Sequence, residues 1–64
     1  MRELDLLLLR YLDEFYPGAD QAEQQAFRYL LTIPDPDILA LLTGKIEAGN
    51  RELGHVIERL LEVN

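Results

Sequence analysis

The residue types that most often do chemistry in proteins are sparse in this sequence. His55 is its only histidine, and the chain contains neither cysteine nor serine. A zinc site needs three or four ligands, and nucleophilic catalysis needs a nucleophile held beside a base. Thr32 and Thr43 fall at predicted helix ends, where capping and turn roles account for a hydroxyl. We therefore interpret His55 as a solvated surface residue and predict no metal site and no catalytic residue.

Carboxylates are plentiful, and three pairs lie close enough in sequence to be considered for acid–base chemistry. Such chemistry needs one carboxyl group buried with a raised pKa, and the apolar pattern buries none of these pairs. There is also no loop with the alternating oxygen ligands of an EF-hand and no Gly-rich phosphate loop. The pairs are Asp13 with Glu14, Asp35 with Asp37, and Glu58 with Glu62. The sequence therefore predicts a protein that is not an enzyme and that acts by binding.

The overall charge argues against a nucleic acid as the partner. Twelve acidic residues oppose six basic ones, which gives a net charge of −6. Nucleic-acid binders usually carry a basic stripe, whereas the basic residues here are scattered among acids. No run of 18 apolar residues occurs, so we expect no membrane insertion. We predict a protein partner, no nucleic acid, and a location in the bacterial cytoplasm, with which a chain without cysteine is compatible.

The elements that must position these side chains are helices, because apolar residues recur at helical spacing and no run of alternating β-branched residues occurs. Pro17-Gly18 and Gly44 are expected to end two of the helices, and Pro34 to close another. The prediction is an all-α fold, a small helical bundle. Its four helices are expected at residues 2–15, 21–31, 36–43 and 51–62.

Three of these helices begin with a recognisable capping residue. Asp20 is a candidate N-cap, with Glu23 three residues later as in a capping box. Asp35 is a second candidate, which would place Pro36 at the first helical position. Asn50 is the candidate cap of the last helix. Each cap satisfies backbone N–H groups that the helix itself leaves free.

The helical wheel predicts which side of the first, second and fourth helices faces the core. On each wheel, apolar residues gather on one side at about 100° per residue. The predicted core residues are Leu4, Leu8, Tyr11, Leu12, Phe15, Ala26, Phe27, Leu30, Leu31, Leu53, Val56, Ile57, Leu60 and Leu61.

The first helix is apolar on a second side as well. Leu6 and Leu9 point nearly opposite to the predicted core face, beside Tyr16. A helix that is apolar on both sides is usually covered on both sides. Another helix, a partner protein or a second copy of the chain would each cover this side, and the remaining alternative is two leucines that are simply exposed.

Several short motifs follow one another in an order that resembles a known family. The pattern comprises Met1-Arg2-Glu3-Leu4-Asp5 before a Leu-rich helix, Tyr16, Glu23, Phe27, Leu30-Leu31, Asp35-Pro36-Asp37-Ile38-Leu39, and Gly44-Lys45. With this pattern the chain resembles the SdhE family of succinate dehydrogenase assembly factors from Met1 to about Leu61. The resemblance is most specific at the acidic-Pro-acidic start of the third helix.

The resemblance implies a bundle of about five helices and a role in attaching FAD covalently to the flavoprotein subunit of succinate dehydrogenase or fumarate reductase. The flavin would bond to a histidine of that subunit, so FAD would belong to the partner and this chain would bind no cofactor stably. The chain would bind the flavoprotein and favour a conformation in which attachment proceeds. That expectation agrees with the absence of catalytic residues.

The family signature, Arg-Gly-x-x-Glu, is only partly present. Glu3 matches its glutamate and Arg2 one of its variable positions, while the Arg-Gly and the family's first helix are absent. We therefore expect residues 1–64 to be a single helical domain that is truncated at its N-terminus. The predicted partner-binding residues are Arg2, Glu3, Leu6, Leu9 and Arg10. Self-association through the Leu6 and Leu9 side of the first helix is a further prediction.

Two other functions compete with the assembly factor. One is an antitoxin-like regulator that binds a membrane-associated toxin, which the same resemblance would cover. The other is a structural fragment without an independent function. Co-purification with a flavoprotein rather than with an inner-membrane protein would separate the first two.

Overall fold

The computed structural model describes residues 2–62, and over that range the chain forms four α-helices without a strand. They are α1 (Arg2–Glu14), α2 (Gln21–Leu30), α3 (Asp35–Leu42) and α4 (Arg51–Leu61), with a 3₁₀ turn at Tyr16–Gly18 between the first two. The predicted all-α bundle of four helices is confirmed. Helix α4 packs against each of the other three helices, so it is the centre of the bundle.

The helix ends follow local chemistry. The side chains of Asp20 and Asn50 accept hydrogen bonds from the backbone N–H groups of Glu23 and Leu53, each at 2.8 Å, as predicted. Gly44 has a φ of 80°, a left-handed conformation that glycine adopts without strain. The N–H of Lys45 then reaches the carbonyl of Ala40 at 2.9 Å, which closes α3 with a Schellman motif.

The predicted start of α3 is wrong by one residue. Pro34 is the N-cap, Asp35 is the first helical residue, and no side chain caps the helix. Pro34 therefore begins α3 rather than closing α2, which ends at Leu30. Because Asp35, Pro36 and Asp37 all lie in the first turn, the two acids still favour the positive end of the helix dipole.

The core is formed by all four helices. Its buried apolar residues are Leu4, Tyr11, Phe27, Leu30, Ile38, Leu41, Leu53, Val56, Ile57 and Leu60. The rings of Tyr11 and Phe27 stack with their centroids 4.4 Å apart, which joins α1 to α2.

Three residues predicted for the core are on the surface. Leu12, Leu31 and Leu61 keep 46%, 53% and 51% of their area exposed. Each lies at the edge of the apolar face of its helix or just past the end of that helix. Leu8, Phe15 and Ala26 are half-buried against the core, so their predicted positions hold in part.

Candidate partner-binding surface

The first two predicted site residues lie at the start of α1, on the protein surface. Arg2 and Glu3 are both exposed, and neither takes part in the core. Glu3 shares the first turn with Asp5, where acidic side chains favour the positive end of the helix dipole. Glu3 is therefore free to meet a partner, and Asp5 offers a matched acid on the same turn.

Arg10 holds two helices together. Its Nη2 atom donates hydrogen bonds to the carbonyl oxygens of Arg59 and Glu62, at the C-terminal end of α4. Its guanidinium carbon also lies 5.8 Å from the centroid of the Phe15 ring. A cation at this end of a helix satisfies carbonyls that the helix leaves free. We call this contact the Arg10 clasp, and it fixes α1 against α4.

Leu6 and Leu9 are exposed, each with 60% of its area accessible. Leu9 lines an apolar groove between α1 and α2 with a volume of about 270 Å³, whereas Leu6 lies outside it. Tyr16 also lines the groove, as the sequence suggested for this side of the helix. The groove residues are Leu8, Leu9, Leu12, Tyr16, Phe27, Arg28 and Leu31.

The predicted residues therefore do not form one compact site. Glu3 and Arg10 are seven residues apart, so they share a flank of α1, and Arg10 is turned toward α4. Leu9 is on the other flank, which borders α2. The structure brings Arg10 into an intramolecular contact and leaves Arg2, Glu3, Leu6 and Leu9 on the surface.

One buried carboxylate was missed by the sequence analysis. Glu23 is only 7% exposed. Its Oε2 accepts a hydrogen bond of 2.6 Å from the Tyr11 hydroxyl and lies 3.7 Å from Nε of Arg59. The sequence pattern predicts a capping box with Asp20, but the side chain of Glu23 reaches Tyr11 of α1 instead. Its position four residues before Phe27, on the buried side of α2, was the signal that it faces inward.

The junction of Tyr11, Glu23 and Arg59 has two buried members, Tyr11 and Glu23, and a partly exposed one, Arg59. Burial raises the pKa of Tyr11 above its ordinary value of about 10, and the hydrogen bond to Glu23 and the negative charge of Glu23 raise this pKa further. Among residues 2–62, no buried side-chain polar atom lacks a hydrogen-bond partner. The junction therefore stabilises the packing of α1, α2 and α4.

A metal ion and FAD each need a particular set of protein groups. Between residues 2 and 62, no group of three or more His, Cys, Asp or Glu side chains could hold a metal ion. FAD carries a pyrophosphate, for which basic side chains or free backbone N–H groups are needed. The groove between α1 and α2 has a single basic residue, Arg28, in an apolar lining. Within the same part of the chain, no helix is long and apolar enough to cross a membrane.

Comparison with known proteins shows the family to which this chain belongs. The family described as "Flavinator of succinate dehydrogenase" matches residues 1–64. This chain belongs to that family. The match covers every helix described above, including the exposed N-terminal turn of α1.

Individual relatives carry a consistent description. A protein of Aliivibrio fischeri described as FAD assembly factor SdhE is 33% identical over 64 residues, which is 100% of this chain and 74% of the relative. A Pseudomonas aeruginosa protein of the same description is 34% identical over 62 residues, 97% of this chain and 74% of the relative. A third, from Psychrobacter arcticus, is 40% identical over 45 residues, 70% of this chain and 48% of the relative. No solved structure matches the chain significantly.

Proposed function

We propose that this chain is an assembly factor that binds the flavoprotein subunit of succinate dehydrogenase or fumarate reductase and promotes the covalent attachment of FAD to it. The observation that carries the proposal is the family match over residues 1–64. The relatives described as FAD assembly factors cover nearly all of this chain, which supports it. FAD stays with the flavoprotein, and this chain contributes no catalytic residue.

The contribution of the chain is a rigid surface. Arg2, Glu3, Leu6 and Leu9 are exposed on α1. The Arg10 clasp and the Tyr11 hydrogen bond hold this helix against α4 and α2. A partner that changes shape is driven toward whichever conformation binds such a surface more tightly. We infer that the flavoprotein conformation that binds this chain is the one in which the flavin attaches.

The proposed location is the bacterial cytoplasm. Self-association through the Leu6 and Leu9 side of α1 stays a prediction. In the proposed complex, the same side would be covered by the flavoprotein. Pairing of two copies would therefore compete with assembly.

The experiment that tests the function compares Glu3→Ala with Asp5→Ala. Both substitutions remove an exposed acid from the first turn of α1, so both lose a similar helix-dipole contribution of about 0.3–1 kcal/mol. Each variant replaces the wild-type gene in cells, and covalent FAD on the flavoprotein subunit is measured by in-gel flavin fluorescence. We expect Glu3→Ala to reduce the fluorescence strongly, and Asp5→Ala to leave it close to wild type.

A strain in which the gene is deleted gives the flavin fluorescence that is reached without this protein. Undiminished fluorescence in the deletion strain would refute the assembly-factor function and favour the antitoxin-like alternative. If both variants give equal fluorescence and both keep the wild-type melting temperature, Glu3 is not a partner-binding residue.

A further inference from the structure

A second cleft lies at the opposite end of α2 from the Asp20 cap. Its volume is about 380 Å³, within the usual range for binding clefts. It lies between the C-terminal end of α2, helix α3 and the loop that precedes α4. The lining residues are Tyr29, Ile33, Asp37, Leu41, Ile46, Glu47, Gly49, Asn50 and Leu53. We call it the acidic cleft.

Part of the lining of the acidic cleft is apolar. Leu41 and Leu53 are buried core residues, and Ile33 is half-buried beside them. Tyr29 is 58% exposed, so a face of its ring is available to a ligand. Apolar walls of this kind accommodate the methylene stem of a long side chain, and an aromatic ring attracts a cation.

Two carboxylates give the cleft its charge. Asp37 and Glu47 are exposed, and no basic side chain is among the lining residues. Within residues 2–62, neither carboxylate forms an ion pair. The chain as a whole carries a net charge of −6, which adds to the attraction for a positively charged group.

We propose that the acidic cleft receives an arginine side chain of the flavoprotein partner. The proposal rests on the function proposed above and names a second contact for the same complex. The guanidinium would pair with Asp37 or Glu47 and stack on Tyr29, while the methylene stem packs on the apolar interior. Arginine fits better than lysine because its planar group both stacks on rings and binds carboxylates with two parallel hydrogen bonds.

Other ligand classes fit the cleft less well. A phosphate or an acidic side chain would be repelled by Asp37 and Glu47. An apolar side chain would remove water from both carboxylates without giving them a partner, which is unfavourable. A metal ion would need a larger set of ligands than the described residues bring together here.

The surface area is compatible with two contacts in one complex. The chain exposes 4457 Å², and its longest dimension is 27 Å. An interface of ordinary size buries roughly 800 Å² on each partner, about a fifth of this surface. An interface of this size is large enough to include side chains from two separate parts of a chain with these dimensions.

The test measures binding to the purified flavoprotein subunit by isothermal titration calorimetry. The cleft variant is Asp37→Asn with Glu47→Gln. The control is Asp13→Asn with Glu58→Gln, which removes the same total charge from exposed positions outside the cleft. We expect the Kd of the cleft variant to rise by about tenfold or more, and that of the control to change by less than about threefold. Tyr29→Leu keeps an apolar wall but removes the ring, and we expect it to weaken binding as well.

Each result has a distinct meaning. Equal weakening in both double variants would assign the effect to net charge and overturn the cleft proposal. Wild-type affinity in the cleft variant would overturn it too, while leaving the proposed function intact. If the wild-type chain fails to bind the flavoprotein, the proposed function itself falls. If sedimentation shows a dimer that the cleft variant disrupts, the occupant is a second copy of this chain and the proposal is wrong.

Discussion

Helices α1 and α4 are both rich in apolar side chains, yet they bury them very differently. Helix α4 buries Leu53, Val56, Ile57 and Leu60 and exposes only Leu61 among its large apolar residues. Helix α1 has more leucines but buries only Leu4 and Tyr11. The difference follows from position, because α4 is surrounded by three helices and α1 lies at the edge of the bundle. Apolar content alone therefore does not show which helix forms the core.

The largest effect is expected where α4 is surrounded. Leu60→Ala removes a side chain that is 2% exposed and should lower the free energy of unfolding by about 2–5 kcal/mol. Domains of this size have little stability to lose, so the variant is expected to unfold largely at ordinary temperature. Leu61→Ala is the control on the next residue, 51% exposed, and should change the free energy by about 0.5 kcal/mol or less. If the two variants have similar thermal midpoints, the contrast between the buried Leu60 and the exposed Leu61 is contradicted.

An intermediate effect is expected at the contact that joins α1 to α2. Tyr11→Phe leaves the buried Glu23 carboxylate without its hydroxyl donor, which should cost about 1–3 kcal/mol. Because the pKa of Tyr11 is raised in the folded state, the unfolded chain loses this proton first as the pH rises. The stabilisation is therefore complete below the ordinary tyrosine pKa of about 10 and falls above it.

Urea unfolding at pH 7 and at pH 11 tests this prediction. The difference in stability between wild type and Tyr11→Phe should be largest at pH 7 and smaller at pH 11. All other ionisable groups are common to both chains, so their contributions cancel in the comparison. A difference that stays constant across this range would mean that the Tyr11 proton is not held by the fold.

The smallest effect is expected on the outer side of α1. Leu9→Ser alters a side chain that is 60% exposed, so the free energy of unfolding should change by about 0.5 kcal/mol or less. Leu8→Ser is the matched control, because Leu8 is half-buried against the core and its substitution should destabilise the protein more. Chemical denaturation of the two variants compares a half-buried position of α1 with an exposed one. If Leu9→Ser lowers the free energy of unfolding more than Leu8→Ser does, the assignment of Leu8 to the core side of α1 is wrong.

The parts of the fold that were predicted correctly depend on local sequence. Asp20 and Asn50 cap helices through residues three positions away, and Gly44 ends α3 through its own backbone conformation. Such signals need no knowledge of the rest of the molecule. The start of α3 was missed because two acids flank Pro36, and either register satisfies the preference for proline in the first turn.

The errors in the core and the unpredicted contacts of Arg10 and Glu23 share one physical cause, which is the dependence on distant neighbours. A helical wheel gives the direction of the apolar face but not its width, so Leu12, Leu31 and Leu61 were included although no helix covers them. The roles of Arg10 and Glu23 depend on partners 52 and 12 residues away, respectively. The resemblance to the family supplied Glu3 and Arg2, which composition and periodicity could not distinguish from other surface residues.

The Arg10 clasp has a consequence for tolerance to mutation. Its acceptors are the backbone carbonyls of residues 59 and 62, which any amino acid would provide. The side chain at position 62 can therefore change without weakening the contact, and Arg59 is constrained through its own approaches to Glu23 and to the Phe15 ring. The donor, in contrast, is the side chain of a single residue of α1, Arg10. A change of side chain at position 62 leaves this contact in place, whereas a single substitution at Arg10 removes it.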